Sequence, residues 1–225
     1  MITNKHNLPD PIFRAVNREY KPNPDRFSVT DLIGPPLIRQ LKLKHWEELT
    51  EDASERLWML LGSAVDKVVS ENAEGAIVQQ KFEIPVDGVV IVGKPDIYWP
   101  SDGYVEDWKV TSVWSFLLGD KKDWERQLNC YAWGIRKDGL DVNILTINAI
   151  LRDWQKSKML RDQDYPRIPF VSRDIPLWTF EEQEAYIKQQ LEFHQMSEPQ
   201  ECSSEDKWEK PTTFAVMKKL SLIHI

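Results

Sequence analysis

Hydrophobic positions change their period several times along this chain, and each period names an element. Alternation and short apolar runs bounded by turn residues predict strands over residues 79–86, 89–98 and 104–111, and a nearly continuous apolar run predicts a buried strand over 142–151. Asp87-Gly88 supplies a hairpin turn between the first two strands, and Pro100, Ser101, Asp102 and Gly103 supply the reversal between the second and third. Helical spacing takes over elsewhere. Leu57, Leu60, Leu61, Ala64 and Val68 form one apolar stripe, and Trp124, Leu128, Tyr131 and Ile135 form another within residues 120–137. A last helix over 178–195 opens on Thr179, with Glu182 at the capping-box position. The implied architecture is α/β (α+β), a central mixed sheet flanked by helices. Residues 1–27, rich in proline and asparagine from position 4 to 26, read as an extended N-terminal arm. The globular domain then runs over 28–195. Residues 196–225 form an acidic tail whose final apolar run reads as a truncated or non-native end.

Composition narrows the class. A chain of 225 residues, 41% hydrophobic and 29% charged, is large enough for one domain with a proper core. No apolar run is long enough for a membrane span or a signal peptide, so no membrane partner and a cytoplasmic location are expected. Cys130 and Cys202 are the only two cysteines, which excludes a four-cysteine iron-sulfur cluster supplied by this chain.

The chemistry concentrates between residues 93 and 111. With a four-residue loop, Trp99 faces Tyr104 and Asp96 falls opposite Asp107; with a two-residue Asp102-Gly103 loop, Asp96 falls opposite Lys109 instead. Either register puts Asp96, Asp107 and Lys109 on one face, because side chains alternate with period two. Carboxylates facing each other across a ladder, with Cβ atoms about 5 Å apart, repel, and a divalent cation compensates. The plainer alternative is a solvated strand face. On the helix of residues 120–137, Gln127 and Tyr131 stand at i and i+4 and share a face.

Gly93-Lys94-Pro95-Asp96, Asp107-Trp108-Lys109 and Gln127-Leu128-Asn129-Cys130-Tyr131 together resemble the Gly-x-x-Asp, Asp/Glu-x-Lys and Gln-x-x-x-Tyr motifs of the RecB-like branch of the PD-(D/E)XK nuclease superfamily. The resemblance spans residues 28–195 and looks most like phage or prophage exonucleases. It implies a restriction-endonuclease-like core and a metal-dependent DNA nuclease using Mg²⁺ or Mn²⁺. Asp96, Asp107 and the Trp108 carbonyl would be metal ligands, Lys109 would be catalytic, and Gln127 and Tyr131 would contact phosphate or Lys109. The family's first motif places a histidine four residues after a glycine. Here Gly62 is followed by Asp66. An aspartate is a hard oxygen donor that suits Mg²⁺ or Mn²⁺ at least as well, so Asp66 joins the expected ligands.

Net charge argues the other way. At −7 the whole chain is repelled by a phosphate backbone. Two segments run locally basic. Residues 120–137 carry Lys121, Lys122, Arg126, Arg136 and Lys137 against three acids, and residues 152–167 carry five basic residues against three acids. Arg126 and Trp154, the latter set among Arg152, Lys156 and Lys158, are the expected strand contacts. There is no phosphate-binding loop of the Gly-x-x-x-x-Gly-Lys-Ser/Thr type, so DNA unwinding would need a helicase partner. A single-strand-annealing protein and a homo-oligomer are the other implied partners. Two competing readings remain: a catalytically inactive nucleic-acid-binding module of the same fold, and an interaction protein using its ten tryptophans and acidic tail.

Overall fold

The computed structural model describes residues 1–117, 122–204, 206–207 and 209. Residues 120 and 121 of the predicted helix, Lys121 among them, and the tail from 210 onward lie outside the described residues. The elements are β1 (Ile2–Thr3), α1 (Asp10–Val16), β2 (Arg26–Ser28), α2 (Val29–Ile33), α3 (Pro36–Lys44), β3 (Glu51–Asp52), α4 (Leu57–Glu71), β4 (Ile77–Val78), β5 (Phe82–Val86), β6 (Val89–Gly93), β7 (Ile97–Trp99), β8 (Tyr104–Thr111), α5 (Val113–Leu117), α6 (Lys122–Lys137), β9 (Ile144–Leu151), α7 (Lys156–Met159), β10 (Phe170–Asp174) and α8 (Phe180–Gln195). A five-stranded sheet runs in the order β10-β9-β8-β7-β4, with β8 and β9 parallel and the other pairs antiparallel. A three-stranded sheet runs β2-β6-β5. The molecule is thus a mixed α/β fold compatible with a restriction-endonuclease-like core. No helix among the described residues is long and apolar enough to cross a membrane.

One predicted strand is divided between the sheets and another starts late. The predicted 79–86 strand begins only at Phe82, because Gln79 takes a left-handed φ of 49° and breaks the chain between the short β4 and β5. The 89–98 strand breaks at Lys94-Pro95-Asp96, where proline can donate no ladder hydrogen bond. The two breaks meet, since the Gln79 N–H donates to the Asp96 carbonyl at 2.9 Å. The turns behave as the sequence predicts. Asp87 and Gly88 both take positive φ, 46° and 84°, the conformation of a type I′ hairpin turn. Trp99 pairs with Tyr104, which selects the four-residue loop over the two-residue one.

Helix α6 lies against β5 and β6 of one sheet and β8 and β9 of the other, and so bridges the two. Its one face meets Val105, Leu145 and Ile147 through Leu128, Ala132 and Ile135; another meets Phe82 and Ile91 through Cys130, Tyr131 and Trp133, with Leu32, Ile187 and Leu191 of α2 and α8 outside. Phe82 fits only because two glycines flank it. A Cβ on Gly93 would sit 2.1 Å, and one on Gly134 2.2 Å, from its ring. Thr179 and Glu182 close the predicted capping box of α8.

The expected extended arm is not extended. Pro9 is the N-cap of α1 and Pro11 sits in its first turn, where no N–H is needed, and Val16 is fully buried. Strand β1 pairs with β3, and Asp52 accepts from Thr3 Oγ1 and the Lys5 N–H, which ties the segment to the start of α4. Helix α4 is also rotated from its predicted packing. Leu57, Leu60, Val65, Asp66 and Val69 are half-buried, while Leu61, Ala64 and Val68 of the expected stripe are exposed with Trp58 and Met59. That rotation carries Asp66 inward, and α4 rests against β8.

Candidate active site

Strand β8 builds the centre. Val105 packs on α6, so period two puts Asp107 and Lys109 on the same side and turns Glu106 and Trp108 to the opposite face. There the Trp108 ring lies 5.9 Å from that of Phe170 and donates its indole N–H to Glu106. Asp107 is 1% exposed. Asp96 lies just beyond the last ladder pair, Ile97 with Glu106, so it stands level with Asp107. The Trp108 main-chain N–H donates to Asp96 Oδ2 at 2.8 Å and fixes that carboxylate. Because N–H and C=O of one strand residue point the same way, the Trp108 carbonyl also faces the gap past β7.

A hydrogen-bonded chain supports this pair from α6. Lys109 Nζ lies 2.6 Å from Asp107 Oδ2 as an ion pair, although that oxygen has no well-aligned hydrogen bond, and donates to Gln127 Oε1 at 3.1 Å. Gln127 Nε2 in turn donates to the Tyr131 hydroxyl at 2.9 Å and, at 3.4 Å, to Asp107 Oδ1. Gln127 and Tyr131 are both buried. Of the two contacts expected for this pair, phosphate or Lys109, the structure shows the one to Lys109, through Gln127.

A third carboxylate approaches from α4. Asp66 Oδ2 accepts from Gln79 Nε2 at 2.6 Å, and Gln79 Oε1 accepts from Lys94 Nζ at 2.9 Å. The charge of Asp66 reaches both Asp96 and Asp107. Sequence reasoning missed Gln79. Its only signal is the polar run Gln79-Gln80-Lys81 inside an otherwise apolar strand. A non-glycine residue at positive φ beside a carboxylate is the kind of backbone strain that gathers at functional sites.

Electrostatics describe a site short of positive charge. Burial, and after it the neighbouring charge of Asp107, pushes the Asp96 carboxyl up to about 7. Burial also pushes Asp107 up, against the pull of Lys109. Tyr131 is raised by burial and then by Asp107, so its phenol keeps its proton. The donors fit a hard divalent cation: all are oxygens, and Asp66 Oδ1 is buried with no hydrogen-bond partner. Among the described residues no three Asp, Glu, His or Cys side chains converge into a ready metal-binding group. A cation on Asp96 and Asp107 therefore needs the Trp108 carbonyl, water or an inward shift of Asp66 to complete its shell.

The two expected strand contacts fare differently from the core of the site. Arg126 is paired with Asp123 at 3.3 Å on the surface of α6. Trp154 is half-buried against Val113, Phe116 and Tyr165 and donates its indole N–H to the Pro166 carbonyl at 2.7 Å, so its ring is packed rather than offered to a base.

No protein-family model matches this chain, and no curated protein matches it. Among solved structures it is similar to the crystal structure of SSO0001, at a TM-score of 0.53 and 16% identity over 83% of this chain and 84% of that one. It is also similar to a phage related exonuclease from Haemophilus somnus 129PT, at a TM-score of 0.41 and 17% identity over 60% of this chain and 67% of that one.

Proposed function

We propose that this protein is a metal-dependent DNA nuclease that hydrolyses phosphodiester bonds, acting as an exonuclease in phage or prophage DNA processing. The observation that carries the reading is the buried Asp107 level with Asp96, with Lys109 paired to Asp107 and held by Gln127. Asp96 and Asp107, with the Trp108 carbonyl and Asp66, would hold Mg²⁺ or Mn²⁺, which when bound polarises the scissile phosphate and lowers the pKa of the attacking water. The chain's own groups do the remainder. Trp108 N–H holds Asp96 in one rotamer, and Gln79 holds Asp66. Lys109 places an ammonium where negative charge grows as the water oxygen bonds to phosphorus and the bridging P–O bond breaks. The proton released by the water ends on the departing hydroxyl. Gln127 and Tyr131 act through Lys109 and Asp107 by fixing their positions.

The test is cleavage of end-labelled linear and closed circular DNA with Mg²⁺, Mn²⁺ or chelator. Linear DNA should be degraded with either metal and circular DNA spared. Asp107→Ala and Lys109→Ala should each lose activity by about 10²-fold or more, and Tyr131→Phe should lose less than tenfold. Asp66, standing where the first motif of the family has a histidine, favours one second reading, an inactive binding module. No cleavage with either metal, with DNA binding intact, would select it.

A further inference from the structure

Beyond the end of β8 the surface changes from acids to paired aromatic rings and cations. The Arg152 N–H donates to the Thr111 carbonyl at 3.0 Å, which places Arg152 directly after the strand that carries Asp107 and Lys109. Its guanidinium lies over the Trp58 ring, 4.3 Å from the centroid. Asp153 then accepts from Ser112 Oγ and from the Val113 N–H and anchors the start of α5. On α5, Trp114 carries Lys158 Nζ 5.2 Å from its ring centroid. Trp58 is 61% and Trp114 45% exposed, so each ring offers surface to solvent while a cation covers one face. Helix α4 connects this cluster to the carboxylates: Trp58 and Asp66 are eight residues apart, about 12 Å along the helix axis.

We propose that Trp58 and Trp114, backed by Arg152 and Lys158, form a stacking platform for the unpaired bases of a DNA strand leading to the Asp96–Asp107 site. The inference rests on the nuclease reading above and adds the substrate class, single-stranded DNA or an unwound end. Aromatic faces accept any base, and adjacent cations meet the phosphates between bases. A duplex hides its base faces inside the stack and finds no stacking partner here. The cations are what single out a polynucleotide: an apolar protein partner would find charged groups lying across both rings. Single exposed tryptophans are unremarkable alone, but here two are each paired with a cation, Trp58 with Arg152, whose N–H bonds to Thr111 at the end of the site strand, and Trp114, three residues beyond Thr111, with Lys158.

The experiment is fluorescence anisotropy of a labelled 20-nucleotide single strand and of the matching duplex, in chelator at low salt, with cleavage of both followed in parallel with Mg²⁺. The full chain should bind the single strand about tenfold more tightly than the duplex. Trp58→Ala and Trp114→Ala should each raise the Kd for the single strand about tenfold, and Trp58→Phe, which keeps a ring face, should stay within about threefold of wild type. Thermal melts should be unchanged in all three variants. Alanine variants that bind like wild type, or equal affinity for strand and duplex, would overturn the platform even if DNA is cleaved. Ring-dependent strand binding without cleavage with Mg²⁺ would sustain the platform and sink the nuclease reading.

Discussion

Asp96 and Asp107 repel each other in a partly dry site, and this repulsion is measurable without any substrate. An isolated aspartate titrates near 3.9, whereas Asp96 is raised to about 7 by burial and by Asp107. A carboxyl whose folded pKa is raised contributes stability that is complete below its unfolded pKa and is lost as pH climbs through the folded value. The metal-free protein should therefore melt at a lower temperature at pH 8 than at pH 5 on account of this group. His194, whose pKa burial lowers, tilts the curve the opposite way, but it does so equally in a variant at position 96. Asp96→Asn should flatten the loss between pH 5 and 8 and raise the metal-free melting temperature at pH 8 by several degrees. Mg²⁺ or Mn²⁺ should stabilise wild type at pH 8 and leave Asp96→Asn unmoved; equal stabilisation of both by cation would remove Asp96 from the ligand set. At this scale the sequence was readable wherever one rule decided. Period two put Asp107 and Lys109 on one face, and i to i+4 spacing put Gln127 over Tyr131. Gln79 was not readable, because its role depends on a left-handed backbone and on Lys94 and Asp66 arriving from other elements.

Among the elements, Phe82 is the point on which the bridge between the sheets turns. Its ring lies between Gly93 of β6 and Gly134 of α6, and α6 also carries Gln127 and Tyr131. Gly93 begins the Gly-x-x-Asp motif, and the structure gives it a packing reason: only a residue without Cβ lets the ring in, and the ring sets how closely α6 approaches the sheets. Gly134→Ala should destabilise the fold by about 1–3 kcal/mol through overpacking, despite alanine's higher helix propensity. Phe82→Leu in the same chain should recover part of that loss, since the two substitutions share one space. Urea melts of the single and double variants measure this. A Gly134→Ala protein as stable as wild type would show that the ring moves aside freely. The broken strands explain why element boundaries were harder to foresee than element types. Hydropathy runs straight through residues 89–98, while the chain divides them at Lys94-Pro95-Asp96 to leave one sheet and enter the other, and the predicted 79–86 strand loses Gln79, Gln80 and Lys81 to the left-handed break before β5. The rotation of α4 is of the same kind. Its apolar stripe predicts one buried face, but the helix turns Asp66 toward β8 and leaves Leu61 and Val68 in solvent.

For the molecule as a whole, a net charge of −7 sets the terms on which DNA would bind. Long-range repulsion works against association, so attraction has to come from cations close to the site. Lys109 is partly exposed there, and Arg18, Lys67 and Lys94 line a groove with Asp66 and Gln79. Arg152 and Lys158 extend beyond β8. With so few positive groups, the affinity for single-stranded DNA should fall with salt on a shallow slope: about three to five phosphates neutralised gives a log–log slope of roughly −2 to −4. Divalent cation should then matter more to binding than in a basic protein. Replacing chelator with Ca²⁺, a hard cation with the same preference for oxygen, should tighten wild-type binding about tenfold or more. Asp107→Ala should bind more tightly than wild type in chelator, because a buried negative charge has gone, and should gain little from Ca²⁺. Binding titrations over a salt series, with and without Ca²⁺, give both quantities. A steep slope with no response to cation would mean that the strand follows a basic surface away from Asp96 and Asp107, and that the acidic pair is not where the phosphate sits.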